Sequence, residues 1–173
     1  MAPLEVLSVD TFFSTYRNRV DQKGRVSVPA PFRIILAREG LEGVYCYPSL
    51  DLDALEAGGH ALLEANRTLT EQLDPYSDEK TMFSAVFFGE STVLKLDGEG
   101  RVVLPDALKS FAGITDEVMF VGMGDKFLLW NPDTYDAYRQ DARAKVREMK
   151  RVLGRSGRLA GEAPAARPGE ARE

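Results

Sequence analysis

The chain has 173 residues, a formal net charge of −5 and a hydrophobic fraction of 44%. This length predicts one domain or two small halves that share a core, and the hydrophobic content excludes an intrinsically disordered protein. A lone cysteine (Cys46) and a lone histidine (His60) exclude an intrachain disulfide and a Cys/His zinc site, and the longest apolar runs are too short to span a bilayer.

The first predicted unit is a turn followed by a strand and a helix. The stretch DQKGRVSVPAPFR begins at Asp21, and Asp-x-x-Gly between apolar runs is typical of a tight hairpin. In such a turn the aspartate binds its own backbone, Gly24 is left-handed, and Asp21 lies close enough to Arg25 to form an ion pair. Residues 26–28 are a predicted strand. Pro29 stops the strand pairing because it has no N–H to donate, and a helix follows.

The segment from residue 54 to residue 89 is predicted to be a helical connection. Apolar residues recur there at helical spacing, interrupted by the pair Gly58-Gly59 and ended before Pro75. Because each glycine costs about 1 kcal/mol in a helix relative to alanine, we expect two short helices or one bent helix. Cys46, in the apolar run YCY that precedes this segment, is predicted to lie in the core rather than to act as a nucleophile.

The turn recurs in the second half of the chain as DGEGRVVLPDALK, from Asp97 to Lys109. Gly100, Arg101 and Pro105 repeat Gly24, Arg25 and Pro29. A repeat of this kind predicts a pseudo-twofold fold in which related hairpins build one barrel. Farther along, LLWNPDTYDAY loosely echoes YCYPSLDLDAL of the first half, which would make EVMFVGMGDK an addition to the second half.

A long helix is predicted at the C-terminal end. Asn131 can cap its start, Pro132 suits its first turn, and a narrow apolar stripe continues from Tyr135 to Val152. From Gly154 onward the sequence has almost nothing to bury and is predicted to be a disordered tail.

The charges are strongly segregated along the chain. Residues 17–38 contain six basic residues and one acid, residues 51–90 contain nine acids and two basic residues, and residues 139–158 contain eight basic residues and two acids. Local patches rather than the total set the field that a partner meets, so the net negative charge does not exclude a polyanionic partner. For the basic C-terminal helix we favour a solvated face, or a face against the acidic middle of a neighbouring subunit, over contact with DNA.

The repeated Gly-Arg has two interpretations. Arg25 and Arg101 can pin their turns as ion pairs with Asp21 and Asp97. An exposed hairpin end that presents Arg25 beside Lys23 also suits a nucleic-acid groove, where arginine binds guanine bidentately and neutralises phosphate. Both interpretations can hold at once, because the aspartate then orients the guanidinium without fully neutralising it.

The stretch FFSTYRNRVDQKGRVSVPAPFR resembles the opening of the MraZ family of bacterial transcription regulators, and STVLKLDGEGRVVLPDALKSFAGITDEVMFVGMGDKFLLW resembles its second half. Both turns meet the family's Asp-x-x-x-Arg signature. The resemblance implies a mainly β fold with helices (α+β class), in which two SpoVT/AbrB-like half-domains form one double-split β-barrel and chains assemble into a ring. The expected bounds are 11–53 and 90–134 for the halves, 54–89 for the helical connection, 135–153 for the C-terminal helix and 154–173 for the tail.

The resemblance also implies a sequence-specific DNA-binding transcriptional regulator. Such a protein is expected in the cytoplasm on the nucleoid, as a homo-oligomer on repeated short G-rich promoter elements, where it represses the division and cell-wall operon that includes its own gene. The residues expected to contact double-stranded DNA are Arg25, Arg101, Lys23, Arg33, Lys109, Arg17 and Arg19. Those expected to shape the motifs are Asp21, Gly24, Pro29, Asp97, Gly100 and Pro105. We expect no cofactor, metal, membrane or small-molecule substrate.

The second motif departs from the family pattern, since Gly98-Glu99 stands where a lysine is expected before the glycine. The first turn is therefore the stronger DNA candidate. The alternative function is an AbrB- or antitoxin-like interaction module that binds a partner protein through the acidic middle and the C-terminal helix. An enzyme is the least supported class, because the sequence offers no nucleophile–base pair.

Overall fold

The computed structural model describes residues 10–161, with side chains to Arg155. The first of its two compact units ends at Tyr135 and the second begins at Asp136. None of the helices in the described part of the chain is long and apolar enough to cross a membrane. The elements are β1 (Thr15–Arg19), β2 (Arg25–Ser27), α1 (Ala30–Arg38), β3 (Val44–Pro48), β4 (Leu55–Gly58), α2 (His60–Glu71), α3 (Asp78–Ser84), a π-helical turn (Ala85–Gly89), β5 (Thr92–Leu94), β6 (Arg101–Val103), α4 (Asp106–Ala112), β7 (Glu117–Gly122), β8 (Phe127–Trp130) and α5 (Pro132–Gly161).

The eight strands of the described residues form a six-stranded sheet in the order β1-β7-β8-β4-β3-β5 and a two-stranded sheet of β2 and β6. All the pairings are antiparallel. Exchanging each strand of the first half for its counterpart in the second (β1 for β5, β2 for β6, β3 for β7, β4 for β8) gives the same two strand orders, read from the opposite end. The α+β class and the pseudo-twofold arrangement are thus confirmed, and the ladders of the described residues form two sheets rather than one closed barrel.

The two-stranded sheet lies at the centre of this pseudo-symmetry. Val26 pairs with Val102 in its middle, and both side chains are buried. The predicted hairpin is wrong in one respect, because β1 and β2 do not pair with each other across the first turn. β1 pairs with β7 and β2 with β6. The reason is that pairing two equivalent short strands across the pseudo-twofold buries both valines against the core, so burial decides the register.

The main core lies between one face of the six-stranded sheet and the elements that pack on it, which are the two-stranded sheet, α1 and α4. Phe32 of α1 makes ring contacts with Phe12 and Phe127, with centroids 5.3 Å and 4.9 Å apart. Ile35 and Leu36, on the same face of α1, are also buried, as their helical spacing predicts. Burying side chains of this size stabilises the fold by about 1.5–3 kcal/mol each.

The other face of the sheet carries two smaller clusters. Tyr45 and Tyr47 of β3 pack against α2 and against Phe87 of the π-helical turn. The buried Tyr45 hydroxyl donates a short hydrogen bond to the Phe87 carbonyl oxygen. Between the tyrosines, Cys46 points into the main core, where burial raises the pKa of its thiol to about 12. Its predicted place in the core is confirmed, and a thiol of that pKa stays protonated at neutral pH.

Two sequence predictions in this region are wrong. The segment predicted to be helical from residue 54 begins as a strand, because Leu55 and Ala57 pair on both sides, with β3 and β8, and are fully buried. Only from His60 does it become helical. The downstream echo is misaligned, since β3 corresponds in topology to β7 and not to β8. EVMFVGMGDK is therefore no addition, for it supplies β7.

The C-terminal helix begins at Pro132 as predicted and continues to Gly161, past its predicted end at residue 153. Ion pairs along it join Arg139 to Asp136, Lys145 to Asp141 and Arg151 to Glu148. Such pairs support an exposed helix, and each of its interior glycines, Gly154 and Gly157, costs it only about 1 kcal/mol. The helix can therefore continue through Gly154. The rest of the predicted disordered tail, residues 162–173, lies outside the described residues.

Candidate nucleic-acid interface

The first turn is held by the carboxylate of Asp21. Its Oδ1 accepts hydrogen bonds from the backbone N–H groups of Lys23 and Arg25, each 2.9 Å long, and its Oδ2 accepts one of 2.6 Å from Arg25 Nε. Gly24 completes the turn in the left-handed conformation, with φ of +78°. The hydrogen bond from the Arg25 backbone is the largest of the causes that lower the pKa of Asp21.

The second turn repeats this geometry. Asp97 Oδ1 accepts hydrogen bonds from the backbone N–H groups of Glu99 and Arg101 at 2.8 and 3.0 Å, and Oδ2 accepts one of 2.9 Å from Arg101 Nε. Gly100 has φ of +76°. The pKa of Asp97 is lowered, again chiefly by the backbone N–H of the arginine. The predicted Asp–Arg ion pairs and left-handed glycines are confirmed in both turns.

The short ladder of β2 and β6 brings the two turns together. Leu104 N donates to Gly24 O at 2.8 Å, and Val28 N donates to Gly100 O at 3.0 Å, so each turn is bonded to the strand of the other repeat. Pro29 and Pro105 follow directly and stand before α1 and α4, where they end the ladder as predicted.

Both arginines lie on the outward face of this two-stranded ribbon. Arg25 pairs with Val103 and Ser27 pairs with Arg101, so these four side chains alternate with the buried valines at the centre. The side chain of Arg25 is 36% exposed and that of Arg101 is 29% exposed. Asp21 holds the Arg25 guanidinium through Nε. The two terminal nitrogens of Arg25 have no hydrogen-bond partner in the described part of the chain. The ribbon therefore presents two oriented guanidinium groups on one face.

A basic side chain from each helix lies against the turn of the other repeat. The guanidinium of Arg33, on α1, covers Gly100 so closely that a Cβ there would overlap it. Lys109, on α4, reaches toward Gly24, where its Nζ would lie 3.9 Å from a Cβ. Arg33 Nε is buried and has no hydrogen-bond partner among the described residues. Each turn is therefore a composite of a motif arginine and a cation from the opposite half.

The remaining predicted contact residues lie outside the ribbon, on the first turn and on β1. Lys23 is exposed on the first turn itself. Arg17 and Arg19 lie on the exposed side of β1, in the six-stranded sheet. Arg17 forms an ion pair of 2.5 Å with Glu117. The hydrogen bond within this pair is the main cause that raises the pKa of Arg17. Arg19 pairs in register with Glu117, and its charge adds to the hydrogen bond from Thr115 that is the main cause of the lowered pKa of Asp116. The cations of β1 are therefore partly compensated by neighbouring acids.

The two turns differ in their electrostatics. Arg101 Nη1 lies 3.1 Å from the carboxylate of Glu99, whereas the corresponding residue of the first turn is Lys23. Arg101 thus faces two carboxylates, Asp97 and Glu99, and its pKa is raised mainly by its hydrogen bond to Asp97. The second turn therefore carries a carboxylate, Glu99, at the position where the first turn carries the ammonium group of Lys23, and this difference underlies the expectation that the first turn is the stronger DNA candidate.

Sequence reasoning missed two members of the ribbon face, Ser27 and Val103. Period-two alternation from each arginine would have placed them on the same face. It also missed that Arg33 and Lys109 lie against the opposite repeat, a contact for which the local sequence carries no signal.

Comparisons with known proteins identify the family of the chain. The family model described as "MraZ protein, putative antitoxin-like" matches residues 87–154. The chain is 48% identical over 165 residues to the transcriptional regulator MraZ of Methylocella silvestris, covering 95% of this chain and 100% of that protein. The protein of the same name from Beijerinckia indica is 47% identical with the same coverage. The one from Rickettsia felis is 43% identical over 145 residues, covering 84% of this chain and 97% of that protein. The chain therefore belongs to the MraZ family, whose curated relatives are named transcriptional regulators.

Proposed function

We propose that this chain is a transcriptional regulator that binds double-stranded DNA through the β2–β6 ribbon. Its targets are repeated short promoter elements upstream of the division and cell-wall operon that includes its own gene, where it acts as a repressor. It acts as a ring-like homo-oligomer in the cytoplasm, on the nucleoid. The two SpoVT/AbrB-like halves are the units that supply the turns.

The observation that carries this proposal is the shared outward face of Arg25 and Arg101. The major groove is about 12 Å wide and admits a two-stranded ribbon, and arginine is the commonest side chain for bidentate contact with guanine. Because an aspartate carboxylate holds each guanidinium at Nε, the arginines reach the groove already oriented, which lowers the entropy lost on binding. Arg33 and Lys109 beside the turns suit phosphate contact.

The acidic net charge of −5 is compatible with this function. A single ribbon offers few cations, so one chain binds DNA weakly. Several ribbons in one ring can engage several promoter repeats at once, and linked sites raise the apparent affinity by about 10²–10⁴ without new contacts. Of the two turns, the first contributes more, since Lys23 adds a cation where Glu99 adds a carboxylate.

The test uses the full-length protein and a fluorescent DNA fragment from upstream of its own gene. We expect Arg25→Ala to weaken binding by about 1–3 kcal/mol and to relax sequence preference, with a smaller effect for Arg101→Ala. The control is Arg67→Ala, because Arg67 is an exposed arginine on a helix away from the ribbon and lies beside Glu64 and Glu71. Binding should also weaken steeply with salt, by about 0.9 in the slope of log K for each phosphate neutralised.

Unchanged binding by the Arg25→Ala/Arg101→Ala double variant, or a flat salt response, would overturn the proposal. Either result would favour the alternative function, an antitoxin-like module that binds a partner protein. Anisotropy at several salt concentrations and light scattering of the free variants separate a lost DNA contact from a lost oligomer.

A further inference from the structure

One side of α5 carries an exposed apolar stripe with a basic border. Val146, Met149 and Leu153 are 60%, 60% and 71% exposed and recur at i, i+3 and i+7, so they lie on one face of the helix. Single exposed apolar residues are normal on a protein surface, but here three large apolar side chains are aligned over two turns of one helix. A stripe of this kind is typical of a helix that docks against another surface.

The cations that border this stripe have no acidic partner among the described side chains of α5. Arg143, Arg147 and Lys150 recur at i, i+4 and i+7, next to Val146 and Met149 on one flank. The described ion pairs of α5 use other cations, namely Arg139, Lys145 and Arg151. The three flanking cations thus form no ion pair within the described residues, and the stripe and its border together form an apolar and basic surface.

The helix α3 carries the complementary arrangement. Asp78, Glu79, Met82 and Phe83 share one face of this helix, so acidic and apolar side chains alternate across it. Met82 is 61% exposed and Phe83 36% exposed. Phe83 also packs on Phe87 of the π-helical turn at 5.7 Å, which ties this face to the body of the fold. Neither Asp78 nor Glu79 forms an ion pair among the described residues.

We propose that the α5 surface of one chain (Val146, Met149, Leu153, Arg143, Arg147, Lys150) docks on the α3 surface of a second copy (Asp78, Glu79, Met82, Phe83). Apolar side chains then face apolar side chains, and cations face carboxylates, along two exposed helices of the same protein. Nucleic acid fits the α5 surface less well, because a phosphate row would leave the apolar stripe in water. The acidic α3 surface would in turn repel it.

A contact of this kind is heterologous, since two different surfaces meet. Repetition around a rotation axis closes such contacts into a ring, whereas a twofold contact would place identical surfaces together. The proposal concerns assembly and does not depend on Arg25 or Arg101. It rests on the homo-oligomer of the proposed function, and it can fail while DNA contact by the ribbon stands.

The experiment reverses the charge on each surface in turn. One variant carries Asp78→Lys and Glu79→Lys, and the other carries Arg143→Glu and Arg147→Glu. Each variant alone presents like charges at the contact, and we expect light scattering to show a shift to smaller species at concentrations where the unmodified protein is assembled. A control with Arg151→Glu and Arg155→Glu changes the same charge on the opposite side of α5 and should retain the assembled mass.

Mixing the two charge-reversed variants is the decisive step. Every α5 surface then meets an α3 surface of opposite charge on the other variant, so the assembled mass should return in a one-to-one mixture. A mixture that stays small, while both variants retain their helical circular dichroism, overturns the proposal. So does an unchanged mass for the Asp78→Lys/Glu79→Lys variant, which would point to α5 pairing with itself. Met149→Gln, which leaves every charge in place, should also lower the assembled mass.

Discussion

Replacing Gly100 with alanine tests the structure where the two repeats meet. Gly100 has φ of +76°, in the left-handed region that side chains disfavour, and the Arg33 guanidinium covers the position of a Cβ. The variant therefore changes two things at once. It strains the second turn, and it displaces a cation that belongs to the first repeat.

The expected magnitude follows from these two terms. An alanine in the left-handed conformation costs about 1–2 kcal/mol. Cζ and Cδ of Arg33 would lie 2.5 Å and 2.8 Å from the new methyl group, so the side chain must leave its place. Because this side chain is long and flexible, its movement adds a smaller cost, about 0.5–1 kcal/mol for the changed rotamer. The free energy of unfolding should fall by about 1.5–3 kcal/mol.

Urea unfolding followed by circular dichroism measures this change, with Gly98→Ala as the matched control. A Cβ on Gly98 meets no atom within 4 Å, and its φ is not positive, so alanine there should be neutral or slightly stabilising. Arg33→Ala should reduce the penalty of Gly100→Ala, because the methyl group then enters vacated space. Equal unfolding midpoints for Gly100→Ala and Gly98→Ala would refute the reasoning.

Three further predictions concern single contacts. The fold lowers the pKa values of Asp21 and Asp97. The stability that these carboxylates contribute is therefore present above about pH 4 and is lost as the pH falls through their folded pKa values. The double variant Asp21→Asn/Asp97→Asn should flatten the acid limb of a curve of stability against pH. Glu99→Lys should tighten promoter binding and steepen the salt dependence by about 0.9 in log–log slope, measured by anisotropy. Tyr45→Phe leaves the Phe87 carbonyl without its buried donor and should cost about 1–3 kcal/mol in urea unfolding.

Each of these predictions has a contrary outcome. An acid limb as steep in the double asparagine variant as in the unmodified protein would show that the turn carboxylates do not govern acid sensitivity. Glu99→Lys without any change in salt dependence would place the second turn away from phosphate. Retained stability in Tyr45→Phe would mean that water satisfies the Phe87 carbonyl at no cost.

The sequence predicts local geometry well where a residue type has few conformational choices. Glycine after Asp-x-x demanded a left-handed turn, and the Asp21–Arg25 pair follows from the four-residue spacing alone. The buried face of α1 and the start of α5 at Pro132 are likewise local consequences of spacing and of proline chemistry. These features depend on neighbours within one or two turns of the chain.

What the sequence does not predict is the choice of strand partner. The four residues of β4 are compatible with both the helical period of 3.6 residues and the strand period of two, so their sequence does not distinguish a strand from a helix. Only the pairing of β4 with β3 and β8 decides its conformation. β1 and β2 were expected to pair across their turn, but each finds a distant partner instead. Pairing energy depends on which surfaces are buried together, and burial is a property of the whole fold.

The candidate interface divides in the same way. The motif arginines and aspartates were predicted by residue number, from the duplicated spacing. The crossing of Arg33 onto Gly100 was not, because it requires α1 of one repeat to lie over the turn of the other. The partial neutralisation of Arg17 by Glu117 was not predicted either, since those residues meet only through the pairing of β1 with β7.

The interleaved strand order has a consequence for how the chain folds during synthesis. Tyr16 of β1 pairs with Phe120, and Val26 of β2 pairs with Val102, so the first strands have no partner until most of the chain has left the ribosome. Contacts of such long sequence separation close slowly. The N-terminal half therefore waits, with its sheet edges unpaired, for the second half to arrive. Nascent chains of this protein are exposed to misassociation over that interval, and their two halves become stable together rather than one after the other.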